Sequence, residues 1–126
     1  MTGHEQLHFN TRVLGPAAAY RLELRQVTQT LRSESSSIAN AILLGRVSAG
    51  DRLEVLLDSR SVGRVELVSM DLVTWEGLGI RDARRGGFGN RFELAYALQR
   101  AGYRFMPLAK YEFYRIQFTW LEEAYA

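Results

Sequence analysis

Three side chains with chemistry to offer stand at alternate positions of one short stretch: Thr28, Thr30 and Arg32. On a β-strand alternate residues share a face, so two hydroxyls and a guanidinium are presented together. Such a set binds a phosphate or a carboxylate through charge-assisted hydrogen bonds. Arg25, just upstream, is placed to join them. The competing reading is structural: the threonines are ordinary strand residues, and Arg32 pairs with Glu34 or another acid. A second basic group, Arg81, Arg84 and Arg85, is spaced to share one face of a helix. It leads into Gly86-Gly87-Phe88-Gly89, a loop whose backbone amides can approach a phosphate closely. A basic helix face is otherwise a solvated one. Phe88, Tyr111 and Trp75 are candidates for stacking on a base, against the ordinary alternative of core packing.

Other chemistries lack their parts. Without cysteine there is no disulfide scaffold, thiolate zinc site or cysteine nucleophile. The two histidines are His4 and His8, so a histidine metal site or a Ser-His-Asp triad would have to recruit one of them. The expectation is no metal and no cofactor. For Thr30 to react, an acid or base would have to come from Glu34, Glu66, Glu76 or the sole lysine, Lys110.

The elements that must position these residues follow from hydropathy patterning. Leu7 to Val13 alternates and predicts a strand; Gly15-Pro16 ends it and opens a helix over 17–25. Val27 to Leu31 predicts a short strand and Ile38 to Leu44 a brief helix closed by Gly45. The segment 35–47 is long for a connection, and a lid over the cleft or a dimer contact would account for it. After the Gly50-Asp51 turn, Leu53, Val55 and Leu57 alternate with charged residues, and 59–63 turns the chain back. In the long strand up to Trp75, Val65, Leu67, Ser69 and Asp71 are expected on one face. One or two helical turns follow over 80–85. Asn90 with Glu93 forms a capping-box pattern for a helix ending at Gly102. Glu112 to Trp120 alternates strongly, with Tyr114, Ile116, Phe118 and Trp120 expected in the core. Consecutive long strands joined by a tight turn are antiparallel. The order fits an α+β fold built on a small curved or closed, mostly antiparallel sheet.

The 126 residues make one domain, 1–126. The balance of 47% hydrophobic and 24% charged residues is that of a globular chain rather than a disordered one. A net charge of +2 is too small to argue nucleic-acid binding by itself. Fifteen of the sixteen basic residues are arginine. That bias reflects either general composition or the use of arginine's planar fork on oxyanions. The start MTGHEQLHFN has no charged region followed by an apolar run, and no window reaches the roughly 18 apolar residues of a membrane span. The expected location is the cytoplasm, with no membrane partner.

These residues together resemble the ASCH family, a PUA-like group. Arg25-Gln26-Val27-Thr28-Gln29-Thr30-Leu31-Arg32 is similar to that family's Gly-x-Lys-Thr-x-(Thr/Glu)-x-Arg motif. Gly50-Asp51 matches its Gly-Asp turn before a strand. Asp82-Ala83-Arg84-Arg85-Gly86-Gly87-Phe88 resembles its D-A-x-x-E-G-F stretch, and Phe113 to Phe118 its closing strand. The resemblance spans roughly 7–120. It implies a small PUA-like β-barrel flanked by helices, with RNA or a nucleotide held in the cleft between them. Some small bacterial members hydrolyse the N4-acetyl amide of acetylcytidine with a Lys, a Thr and a Glu. Carried over, the lysine position is Val27, the glutamate position falls near Gly86, and only Thr30 matches.

The leading expectation is thus an RNA-binding module, with Arg25, Thr28, Thr30, Arg32, Arg81, Arg84 and Arg85 as phosphate contacts. The alternatives are a small hydrolase acting on a modified nucleoside or on RNA, with Thr30 reactive, and an assembly module using 38–44, monomeric or homodimeric.

Overall fold

The computed structural model describes residues 5–103 and 111–122. Five strands form one curled sheet in the order β1-β3-β4-β5-β2. Their ranges are β1 Gln6–Phe9, β2 Gln29–Arg32, β3 Arg52–Leu57, β4 Arg60–Thr74 and β5 Glu112–Trp120. Between them lie α1 Thr11–Leu14, α2 Pro16–Glu23, α3 Ser37–Leu43, α4 Ile80–Arg85 and α5 Arg91–Arg100. No helix among the described residues is long and apolar enough to cross a membrane.

Three strand pairs are antiparallel, while β1 lies parallel to β3. The parallel pair is possible because α1, α2, β2 and α3 all intervene, giving the chain room to cross over. The expected closed barrel does not form among the described residues. The sheet is a half-barrel, with four-residue β1 and β2 as its edges.

Both faces of the sheet are covered. Leu53, Val55, Val65, Leu67, Ile116 and Phe118 meet Ala19 and Leu22 of α2 and Ile38 and Ala41 of α3. On the reverse face Phe113 packs with Ala83 of α4 and Leu94 and Leu98 of α5. Segment 35–47 therefore supplies core: Ile38, Ala39, Ala41 and Val47 are buried.

Local chemistry moves several expected boundaries. The first strand stops at Phe9 because Asn10 caps a helical turn, its Oδ1 accepting from Val13 N at 2.9 Å. Asp58, at the β3–β4 turn, accepts from Thr11 N at 2.9 Å and Thr11 Oγ1 at 2.6 Å. That hairpin turns at Asp58-Ser59, both with positive φ, so β4 begins at Arg60 rather than beyond Gly63. A bulge in β4 between Leu67 and Ser69 then switches faces. Met70 pairs with Ile116 and Asp71 with Arg115, so Ser69 and Asp71 leave the face of Val65 and Leu67.

Gly87 shows how tightly the helical layer seats. Its φ is +96°, and a Cβ there would stand 2.9 Å from Val27 Cγ2 and 3.4 Å from Ala18 Cβ. Gly87→Ala is expected to destabilise the fold by more than about 1 kcal/mol, combining backbone strain with overpacking. Urea denaturation of the two proteins measures it.

Candidate functional site

The two edge strands face each other across an open seam. Arg32, the last residue of β2, spans it: Nη2 donates to the His8 carbonyl of β1 at 2.6 Å. Its Nε donates to Thr30 Oγ1 at 3.0 Å, and the guanidinium lies 4.8 Å from the centre of the Phe9 ring. Arg32 keeps partial exposure, yet burial of the guanidinium pushes its pKa down to about 10, partly offset by Tyr103. It stays charged at neutral pH.

Beside this strap is a cavity of about 310 Å³. One wall is the end of β1 with α1, from His8 to Leu14. The second is β2, from Gln29 to Arg32; the third is α5, through Leu94, Ala97, Leu98 and Ala101. Asp82, Gly86, Phe88 and Tyr103 complete it. Burial raises the Tyr103 pKa, opposed by a hydrogen bond with Ser33 and by Arg32, so its hydroxyl is protonated at neutral pH.

One carboxylate organises the floor. Asp82 Oδ1 accepts from Gln29 Nε2 and from Arg115 Nη1, each at 3.0 Å, while Oδ2 accepts from Gly79 N at 2.9 Å. Gln29 Oε1 accepts from Gln117 Nε2 at 3.0 Å, and Gln117 Oε1 from Ser69 Oγ at 3.2 Å. Arg115 also grips Asp71 with two bonds, of 3.0 and 2.6 Å. Burial alone would raise the Asp82 pKa, but the Gly79 amide, Gln29 and Arg115 outweigh it, so the carboxyl is held below its ordinary value.

The expected site residues divide. Thr30 and Arg32 line the cavity together, on one face of β2 as alternation requires. Arg25 goes elsewhere: its φ of 61° ends α2, and its guanidinium lies over Gly63 and 5.8 Å from the Trp120 ring centre. Thr28 falls just outside β2, bridging α4 and β5: its amide donates to Arg85 O at 2.8 Å, and its carbonyl accepts from Phe118 N at 3.0 Å. Arg81, Arg84 and Arg85 share an exposed face of α4 and do not line the cavity. The expected phosphate cradle at Gly86–Phe88 is turned inward. The amides of Gly86, Gly87 and Phe88 donate to carbonyls of α4 and cap its end. Phe88 lines the cavity, whereas Trp75 carries Arg91 on its ring at 4.5 Å, and Tyr111 packs edge-on against Tyr103. Segment 35–47 contributes nothing to the cavity wall. Among the described residues no carboxylate bonds Thr30; Lys110 lies outside them.

The fold has a solved counterpart. It is similar to the crystal structure of protein EF3133 from Enterococcus faecalis V583, of the family DUF984. The TM-score is 0.65 at 12% identity, over 96% of this chain and 82% of that one. The likeness supports an α+β architecture built on a curled sheet. At this identity it establishes the fold alone. No family model matches the sequence, and no curated protein matches it significantly.

Sequence reasoning missed Asp82, Gln29, Arg115, Gln117 and Tyr103. The available signal was polarity in the wrong place. Gln29 falls in the middle of the strand expected over 27–31, and Arg115 and Gln117 alternate with apolar residues on a strand that is covered on both faces.

Asp82 makes two testable demands. Its depressed pKa stabilises the fold above the unfolded-state value near 4, and that contribution is lost as pH falls through the folded-state value. An Asp82→Asn variant is expected to show a flatter acid limb in thermal melts across pH 2–6, roughly the range in which carboxylates titrate. Some slope persists from Asp58, which Thr11 also holds low. Arg115→Ala, which leaves Asp82 without its only ion-pair partner among the described residues, is expected to cost about 3 kcal/mol in urea denaturation at neutral pH.

Proposed function

We propose that the chain is a PUA-like module of the ASCH type that holds one base of an RNA, or a nucleoside-sized piece of it, in the seam cavity. The observation that carries this reading is the cavity itself. About 310 Å³ is the space of one base with part of its ribose, at the small end of ligand pockets. Phe9, Phe88, Leu94 and Leu98 supply apolar wall for a ring, and Thr30, Arg32, Asp82 and Tyr103 supply polar groups for its edge. Unstacked bases of single-stranded RNA are held in this way, by rings and hydrogen bonds together.

The charges divide the ligand. Inside, the Arg32 cation is matched by Asp82, so a phosphate drawn fully in would meet a carboxylate. Outside, exposed Arg12 stands at the cavity wall, and the exposed α4 arginines offer contacts for outer phosphates. The hydrolase reading is weaker. Thr30 Oγ1 accepts from a guanidinium rather than donating to a base, and the family's lysine and glutamate positions hold buried Val27 and Gly86.

Anisotropy of a labelled single-stranded RNA across a salt series tests the proposal. Affinity is expected to fall with salt, and Arg12→Ala to lower the salt slope by about one unit. Thr30→Val is expected to weaken binding severalfold without changing that slope. Binding indifferent to salt, or unchanged in Thr30→Val, contradicts the reading.

A further inference from the structure

Resting on the base-pocket reading, the hydrogen bonds that Asp82 already makes bear on which bases the cavity suits. An ionised carboxylate has roughly four acceptor positions. Three are filled among the described residues: two on Oδ1, by Gln29 and Arg115, and one on Oδ2, by the Gly79 amide. The remaining lone pair is on Oδ2 of a residue that lines the cavity and is only 9% exposed.

The neighbours of Asp82 fix it as an acceptor. Gln117 donates to Gln29 Oε1, which leaves Gln29 Nε2 to donate to Asp82. Arg115 is locked onto Asp71 by two bonds and delivers Nη1 to Asp82. The carboxylate is therefore held through Oδ1 by two side chains and through Oδ2 by the Gly79 amide. By contrast, Arg32 can only donate, and Thr30 keeps its proton to give: its oxygen accepts from Arg32 Nε with one of two lone pairs, and guanidinium N–H groups remain beyond the bonds to Thr30 and His8. One side of the cavity thus only accepts, and the other offers donors.

We propose that Asp82 selects bases bearing an exocyclic amino group, with the amine donating to Oδ2 and a ring nitrogen or carbonyl accepting from Thr30 or Arg32. Cytosine, adenine and guanine carry such an amine; uracil does not. The N3–H of uracil is a donor, but carbonyls flank it on both sides, and one of them would be pressed against the carboxylate. Gln29, Gln117 and Arg115 are positioning residues in this scheme, since they act through Asp82.

The test uses the unaltered protein and pairs of nucleosides that differ by the amine alone. These are cytidine against pyrimidin-2-one riboside, adenosine against purine riboside, and guanosine against inosine, with uridine as a further comparison. Calorimetric titration is expected to show that deleting the amine weakens the best-binding nucleoside by about tenfold or more. Uridine is expected among the weakest. Equal affinity within each pair, or uridine binding as well as the amino-bearing nucleosides, overturns the role of Asp82 and leaves the base pocket standing. No binding by any nucleoside contradicts the base pocket itself, and this inference falls with it. Because the ligand is varied, the outcome does not depend on whether an Asp82 variant folds.

Discussion

A buried carboxylate must be paired, and here the pairing of Asp82 sets the geometry of everything around it. Its three partners lie on different elements: Gly79 at the start of α4, Gln29 on β2 and Arg115 on β5. A single side chain thus ties the helical layer to the edge of the sheet. The extension through Gln117 to Ser69 carries the tie to β4. Satisfied networks of this kind fix one arrangement, because each loss leaves a buried polar group without its partner.

That tie explains why the sheet can stay open. Strand β2 is four residues long and pairs only with β5. Its ladder to β5 and the Asp82 network hold it from one side. Its other side is free to border a cleft, and there Arg32 reaches the β1 carbonyl of His8. A closed barrel would have used those edges for ladder bonds and shut the seam. The open seam is thus the structural condition for the proposed ligand site. The same arginine that bridges it also brings a cation and a donor to its wall.

Much of the fold was legible in the sequence, because periodicity and capping are local. The alternation over 112–120, the Asn90–Glu93 cap and Pro16 at the start of α2 each specified an element within a residue or two. What was not legible depended on distant groups. Asp58 drew Thr11 into a helical turn across the molecule, and the bulge beside Leu67 reversed the facing of Ser69 and Asp71. At the site, period two correctly placed Thr30 and Arg32 together. Arg25, expected to join them from just upstream, does not: its left-handed backbone turns it toward Gly63 and Trp120. Composition pointed to arginines as ligand contacts, but the deepest polar groups are Gln29 and Asp82, whose value lies in partners far along the chain.

The most direct test of the account is an amide chemical-shift titration of ¹⁵N-labelled protein with a short mixed-sequence single-stranded RNA. A base seated in the seam is expected to give its largest shifts on Thr30 to Ser33, on the cavity-facing turn of α5 around Leu98, and on Tyr103. Shifts confined to the exposed arginine face of α4, with the seam unmoved at saturation, would contradict it.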